Sequence, residues 1–322
     1  MQLIQKYQGI IEDKIKNYEF PQEPKNLYDP IRYFLNIGGK RTRPSLTMLA
    51  CHLFGEPGLK ALNAALAIEL FHNFTLIHDD IMDGAPLRRG KTTVHEKWNA
   101  DIAILAGDVL FTEAFNVLTK NDPTILPQLM ATFTQASREV CEGQQMDMDF
   151  ETSDEVTIED YIEMIRLKTS VLLGAALKMG AIVAGEKNEE NLKNIYEFGV
   201  NIGIAFQIQD DVLDLYTTSE KFGKQVGGDI LANKKTFLLL KTYEMADAAT
   251  KQELDYQMTH NEPDKIEKVK DLYNRVNCLE LAEKEKLFYY EKAQKNMANI
   301  TVPKKNKTTL LKLSESLMSR EF

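Results

Sequence analysis

Hydrophobic residues recur along this chain at intervals of three and four, the spacing of one buried helical face. From Leu192, the positions Ile195, Tyr196, Gly199, Gly203 and Phe206 keep that period and lead directly to Asp210. Stretches rich in Ala and Leu with the same character occupy residues 61–83, 100–118 and 157–184. Gly and Pro, the residues that punctuate helices, gather instead at 21–30, 55–58, 84–90, 121–127 and 223–228. Alternating strand-like segments are absent, so the pattern predicts an all-α protein. No Pro/Ser-rich linker or compositional break divides the chain, which predicts one domain over residues 1–322. Gly107, Gly174, Gly180, Gly199 and Gly203 fall inside predicted helices, where each costs helix propensity. They imply close helix packing or space beside a ligand.

Composition narrows the classes of function. With 322 residues, 43% hydrophobic and 9% aromatic, the chain can bury a large core, so disorder is excluded. A formal net charge of −9 argues against a nucleic-acid partner, which would demand a surplus of Lys and Arg. Any anionic ligand must therefore be held locally. No uncharged apolar run approaches the roughly 20 residues that span a bilayer, so no transmembrane segment is predicted. The first helix-like stretch carries Glu12 and Asp13 where a secretory signal would be apolar. Cys51, Cys141 and Cys278 are far apart, odd in number and form no CxxC pair, which suits a reducing compartment. The expectation is a soluble, cytoplasmic protein. The basic stretch 304–312 is read as a solvated helix face or loop.

A short internal echo carries the first chemical signal. Residues 77–83 read IHDDIMD and residues 208–214 read IQDDVLD, each toward the end of a predicted helix. Residues four apart on a helix share a face, so Asp79 pairs with Asp83 and Asp210 with Asp214. Carboxylates near a helix C-terminus are disfavoured by the macrodipole, and adjacent anions repel. A single DDxxD is equally compatible with an exposed acidic patch. Two with the same spacing and apolar flanks point to Mg²⁺, a hard cation that binds through a few carboxylates, substrate phosphates and water. An EF-hand is excluded because the alternating loop ligands, central Gly and final Glu are missing.

Basic groups stand ready to answer those clusters. Residues 38–44 read GGKRTRP, and Arg88, Arg89 and Lys91 closely follow the first cluster. The planar fork of arginine can grip two phosphate oxygens at once. Lys168 and Thr169 lie inside a predicted helix, and the Gly-rich segment 222–229, FGKQVGGD, leads to Lys234, Lys235 and Thr236. The spacing is not that of a Walker P-loop and no strand precedes it, so lysines would supply the phosphate contacts. His72 taken alone is a core histidine.

In the order GGKRTRP, DDIMD, LRRGKTTVH, GQQMD, KTS, FQIQDDVLD and GGD followed by KKT, the chain resembles the trans-isoprenyl (polyprenyl) diphosphate synthases, especially the short-chain geranylgeranyl and farnesyl enzymes, over almost its whole length. The resemblance implies a single bundle of mostly antiparallel helices around a deep central cavity, the isoprenoid synthase fold, generally assembled as a homodimer. It implies head-to-tail condensation of isopentenyl diphosphate with an allylic diphosphate, with three Mg²⁺ ions per active site. Asp79, Asp83 and Asp210 match the principal metal ligands, supported by Asp80, Asp211 and Asp214 directly or through water. Lys40, Arg43, His72 and Arg89 match positions that bind isopentenyl diphosphate. Arg88, Lys168, Lys224 and Lys234 match positions that hold the allylic diphosphate. Thr169 and Gln207 match residues whose oxygens stabilise the allylic cation, and Gln144 and Asp147 fall in the GQxxD segment near the metals.

In this family the growing chain passes residues that precede the first cluster. Phe74, five positions before Asp79, would form an aromatic floor, and the small Thr75 follows it. That pair resembles enzymes making a C20 product, with C15 the next expectation and longer chains third, while packing between helices is the plainer role for Phe74. The alternatives are a non-catalytic partner subunit of a heteromeric synthase, which would have lost an aspartate cluster, and a terpene cyclase or head-to-head synthase. The latter would not need the second diphosphate site implied by Lys40, Arg43 and Arg89. By analogy with relatives whose basic tail closes over bound diphosphates, Arg320 would complete a lid.

Overall fold

The computed structural model describes residues 2–153, 155–216 and 227–318. Among them the regular structure is helical apart from one two-stranded hairpin. The described residues group into two compact units. One is built from the chain up to Ser137 with Leu172–Tyr196 and Asn299–Leu313, the other from Arg138–Val171, Glu197–Ala298 and the chain from Ser314.

The first unit opens with α1 (Gln2–Lys16), α2 (Lys25–Asn36) and α3 (Thr42–Leu53), followed by α4 (Leu62–Met82). Helix α4 is buried nearly all round, through Ala64, Ala65, Leu66, Ala67, Ile68, Leu70, Phe71, Phe74 and Ile77, as a helix apolar on every face must be. After it come β1 (Leu87–Arg88), β2 (Lys91–Thr92), α5 (Val94–Lys97), α6 (Ala100–Leu118) and α7 (Leu126–Thr152). Helix α6 packs along α4. Their seam is aromatic: Phe74 stacks on Phe111 with ring centroids 4.9 Å apart, and Phe71 and Phe115 each meet Phe133 edge-on at 5.5 and 5.2 Å.

Helix α4 stops at Asp83, whose amide donates to the Asp79 carbonyl at 2.8 Å. The strands β1 and β2 then pair antiparallel around Arg89 (φ 52°) and Gly90 (φ 71°), the left-handed pair that a two-residue hairpin turn requires. No strand was expected here, because two residues a side leave no alternation to read.

Further along the chain, residues 157–184 depart from one continuous helix. Helix α8 (Ile158–Ile165) starts at a capping box in which Thr157 and Asp160 satisfy each other's amides. It runs into a π-helical turn, Arg166–Ser170, before α9 (Val171–Val183) resumes the regular period. Helix α10 (Glu189–Tyr216) carries the second aspartate cluster in its last two turns. Then come α11 (Gly228–Leu231), α12 (Phe237–Met245), α13 (Ala248–Thr259), α14 (Lys265–Arg275), α15 (Cys278–Asn299) and α16 (Lys304–Met318). The basic stretch 304–312 opens α16 with Lys304, Lys305 and Lys312 exposed, the solvated face expected of it. No helix among the described residues is long and apolar enough to cross a membrane.

Candidate active site

In the first unit the aspartates of α4 divide by environment. Asp79 is half-buried and Asp83 exposed, on one side of the helix end. Asp80 is 1% exposed and bound by Arg88, whose Nε lies 2.8 and 2.9 Å from the two carboxylate oxygens, with Nη2 2.8 Å from Oδ1. Burial raises the Asp80 carboxyl above its ordinary range, against the opposing pull of Arg88 and then of His95. The hairpin makes this pairing possible, since it folds Arg88 back over the end of the helix that bears Asp80.

The cations of residues 38–44 also separate. Arg41, in left-handed backbone (φ 48°), is consumed structurally: Nε donates to Glu12 at 2.8 Å, Nη1 to Glu69 at 2.6 Å and Nη2 to the Leu35 carbonyl at 3.0 Å. Arg43 is different. Its Nη1 donates to Nε2 of His72 at 3.2 Å, and its Nε is buried with no hydrogen-bond partner among the described residues. Burial pushes the Arg43 guanidinium down, opposed by the charges of Glu69 and Asp79. His72 is driven well below the ordinary histidine range by burial and then by Arg43, Arg89, Arg88 and Arg41, so its ring stays neutral and can accept from Arg43. Arg89 packs against the backbone of Gly39, where an added Cβ would sit 2.6 Å from its Nη1. Lys40 is exposed beside it in the chain, and its carbonyl accepts from Gln8. Thr75 turns its hydroxyl back to the His72 carbonyl at 2.9 Å.

The second unit repeats the division. Asp211 is 6% exposed and accepts from the Tyr161 hydroxyl at 2.6 Å and the Phe237 amide at 3.0 Å. Burial, followed by the charge of Asp229, raises its carboxyl to about 7. Asp214 accepts the Asp229 amide at 3.1 Å, tying the GGD segment to α10. Asp210 is half-buried. The π turn presents Lys168, which pairs with Asp147 at 2.5 Å, and Thr169, whose hydroxyl reaches Gln207 Oε1 at 3.4 Å. Two glycines bring the turn this close. A Cβ on Gly143 of α7 would lie 2.2 Å from the Lys168 amide nitrogen, and one on Gly203 of α10 would lie 2.7 Å from Ser170. Lys234 is exposed on the loop between α11 and α12. Lys224 and Arg320 lie outside the described residues.

Among the described residues no group of three or more acidic, His or Cys side chains converges to hold a metal by itself. The donor set still suits Mg²⁺. Each cluster offers hard carboxylate oxygens while its second aspartate is taken by protein donors, which leaves coordination positions for phosphate oxygens and water. Sequence reasoning missed Tyr161, the close packing of Gly39 and Gly143, and the anchoring role of the Asp229 amide, whereas the close packing expected at Gly203 is found. It also passed over His95, both of whose ring nitrogens are buried without a hydrogen-bond partner among the described residues. The GGKRTRP, GQQMD, GGD and LRRGKTTVH segments contain several of these, and they flagged the segment without the contact.

The comparisons agree with one another. The polyprenyl synthetase family profile matches residues 24–276. The chain is 44% identical over 237 residues to a geranylgeranyl pyrophosphate synthase of Geoglobus acetivorans, covering 73% of this chain and 74% of that one. It is 38% identical to the geranylgeranyl diphosphate synthase of Methanosarcina mazei over 93% and 91% of the two chains. Its backbone matches the crystal structure of geranylgeranyl pyrophosphate synthetase from Pyrococcus horikoshii with a TM-score of 0.93 at 37% identity, covering 99% of each chain.

Proposed function

The chain belongs to the polyprenyl synthetase family, and we propose that it joins isopentenyl diphosphate head-to-tail to allylic diphosphates, making an all-trans C20 prenyl diphosphate. It is a trans-prenyltransferase of the all-α isoprenoid synthase fold. The observation that carries the two-substrate chemistry is the cationic recess of Arg43, His72 and Arg89. There a buried guanidinium Nε lacks an acceptor among the described residues, and a neutral imidazole orients the same side chain. A buried charged donor left unsatisfied is costly, so the recess is built for an anion. A cyclase, which binds one diphosphate, has no use for it.

The roles follow from the chemistry. Lys40, Arg43, His72 and Arg89 hold isopentenyl diphosphate so that its alkene faces the reacting carbon, a gain that comes largely from orientation. Arg88, Lys168 and Lys234, together with Lys224, grip the allylic diphosphate and neutralise charge as it leaves. Asp79, Asp83 and Asp210 are the residues that would hold Mg²⁺, with Asp214 beside them and Asp80 and Asp211 anchoring the clusters from behind. When bound, the metal adds Lewis-acid neutralisation of the departing diphosphate. Thr169 and Gln207 turn oxygens toward the allylic cation, and the proton lost after condensation passes to the released diphosphate. Phe74, backed by Phe111, sets the floor that limits the product.

The same proposal treats the chain as one functional domain over residues 1–322, acting as a cytoplasmic homodimer with three Mg²⁺ per site. Exposed Ile104 and Leu105 on α6 support a dimer surface. Substituting Arg43 by Gln tests the carrying observation: the Michaelis constant for isopentenyl diphosphate should rise at least tenfold, while that for the allylic substrate stays within about twofold. Equal losses for both substrates would contradict a separate second site.

A further inference from the structure

Lys265 is 1% exposed at the first position of α14, yet no carboxylate lies within ion-pair distance of it among the described residues. Its ammonium instead donates to Asn233 Oδ1 at 2.8 Å, Asn261 Oδ1 at 3.1 Å and the Met258 carbonyl at 3.4 Å. Removing an ammonium from water is unfavourable unless its donors are satisfied, and neutral oxygens compensate less than a carboxylate does. Packing alone would be met by methionine at no such cost. The donors themselves must therefore matter.

What they hold is the segment that carries Lys234. Asn233 has left-handed backbone (φ 52°), its amide donates to the Ile230 carbonyl at 3.1 Å, and the Lys234 amide donates to Asp229 at 3.0 Å. A left-handed residue other than glycine persists only where its surroundings fix it, although Asn tolerates the region best. The neighbour of Lys265 braces the other end of the same segment: Ile266 lies so near Gly227 (φ 73°) that an added Cβ there would come within 2.8 Å of its side chain. Between those two props the Asp229 amide is tied to Asp214. The first turn of α14 thus pins the loop from Gly227 to Asn233 at both ends.

We propose that Lys265 is a positioning residue for the diphosphate site, its buried ammonium holding Asn233 in the left-handed turn that presents Lys234. This rests on Lys234 binding the allylic diphosphate, as set out above.

The test is steady-state kinetics on K265M, K265R, N233G, K234A and the K234A/K265M pair, with C15 allylic diphosphate and isopentenyl diphosphate varied separately and melting temperatures recorded. K265M should raise the allylic Michaelis constant about tenfold and leave that for isopentenyl diphosphate within about twofold, since small misplacements of a binding group act on its own substrate. K265R should recover most of the loss, and K265M should add little on the K234A background. A K265M enzyme that melts earlier but keeps its allylic Michaelis constant, while K234A loses affinity, would reduce Lys265 to a purely structural residue. Should K265M fail to fold, N233G keeps the backbone and deletes the acceptor: a similar allylic defect supports the inference, and an unchanged constant overturns it. A silent K234A would remove the role of Lys234 and the inference with it.

Discussion

Arg88 joins the binding role proposed for it to a structural one, its pairing with Asp80. The carboxylate is buried and the guanidinium is its bidentate partner, so Arg88→Ala should destabilise the fold by about 2 kcal/mol, because the carboxylate is left without its cation. Asp80→Asn on that background should recover part of the loss in urea denaturation. By contrast Asp79→Asn removes a half-buried carboxylate proposed to hold Mg²⁺. It should lower kcat by about a thousandfold or more with little change in melting temperature, since its role is confined to stabilising charge in the transition state. His72 gives the pH dependence. Its folded pKa lies well below its unfolded value of roughly 6.5, so the unfolded chain binds more protons between those two values and stability falls as pH drops below about 6.5. Asp211, raised to about 7, acts in the opposite sense over the same window, so the His72 contribution is read by difference: the stability advantage of the native protein over His72→Gln should shrink in thermal melts as pH falls from 8 to 5. The motif marked the aspartates as candidates, but not that Asp80 and Asp211 face protein donors. Tyr161 stands fifty residues from Asp211 in sequence and only the fold joins them.

Among the elements, the π turn at Arg166–Ser170 presents Lys168 and Thr169 to Asp147 and Gln207. Sequence periodicity read residues 157–184 as one helix because a single extra residue in a turn shifts the apolar stripe too little to see. The glycines that admit the turn are the better guide. Gly143→Ala should cost about 1–3 kcal/mol and distort Lys168 and Thr169, since its Cβ would strike the backbone of the turn. Turnover should fall further than stability alone explains, measured on the folded fraction. Helices α4 and α6 were legible almost to the residue, over 62–82 and 100–118 against the expected 61–83 and 100–118, because their apolar content leaves no other reading. On the proposed function their seam limits product length. Phe74→Ala should shift products beyond C20, and Phe111→Ala added to it should lengthen them again, because Phe111 stacks directly behind Phe74. Chromatography of the dephosphorylated alcohols would show both steps.

For the molecule as a whole, class and chemistry were readable because two DDxxD clusters and their cationic answers recur in a fixed order along an otherwise apolar helical chain. What the order could not show was the grouping of described residues into two units, each holding one cluster. That grouping draws distant segments together, such as Asn299–Leu313 with the chain before Ser137, and neither composition nor spacing marks it. Chelation should abolish turnover and added Mg²⁺ restore it, with the melting temperature little changed, since no group of the described residues holds a metal unaided. The most direct measurement supplies purified protein with Mg²⁺, labelled isopentenyl diphosphate and, separately, C5, C10 and C15 allylic diphosphates, then resolves the products by length beside an Asp79→Ala control. Label appearing in a C20 product, and lost in the control, is the expected result. Folded protein that binds both diphosphates but incorporates no label from any primer would contradict the assignment and favour a partner subunit.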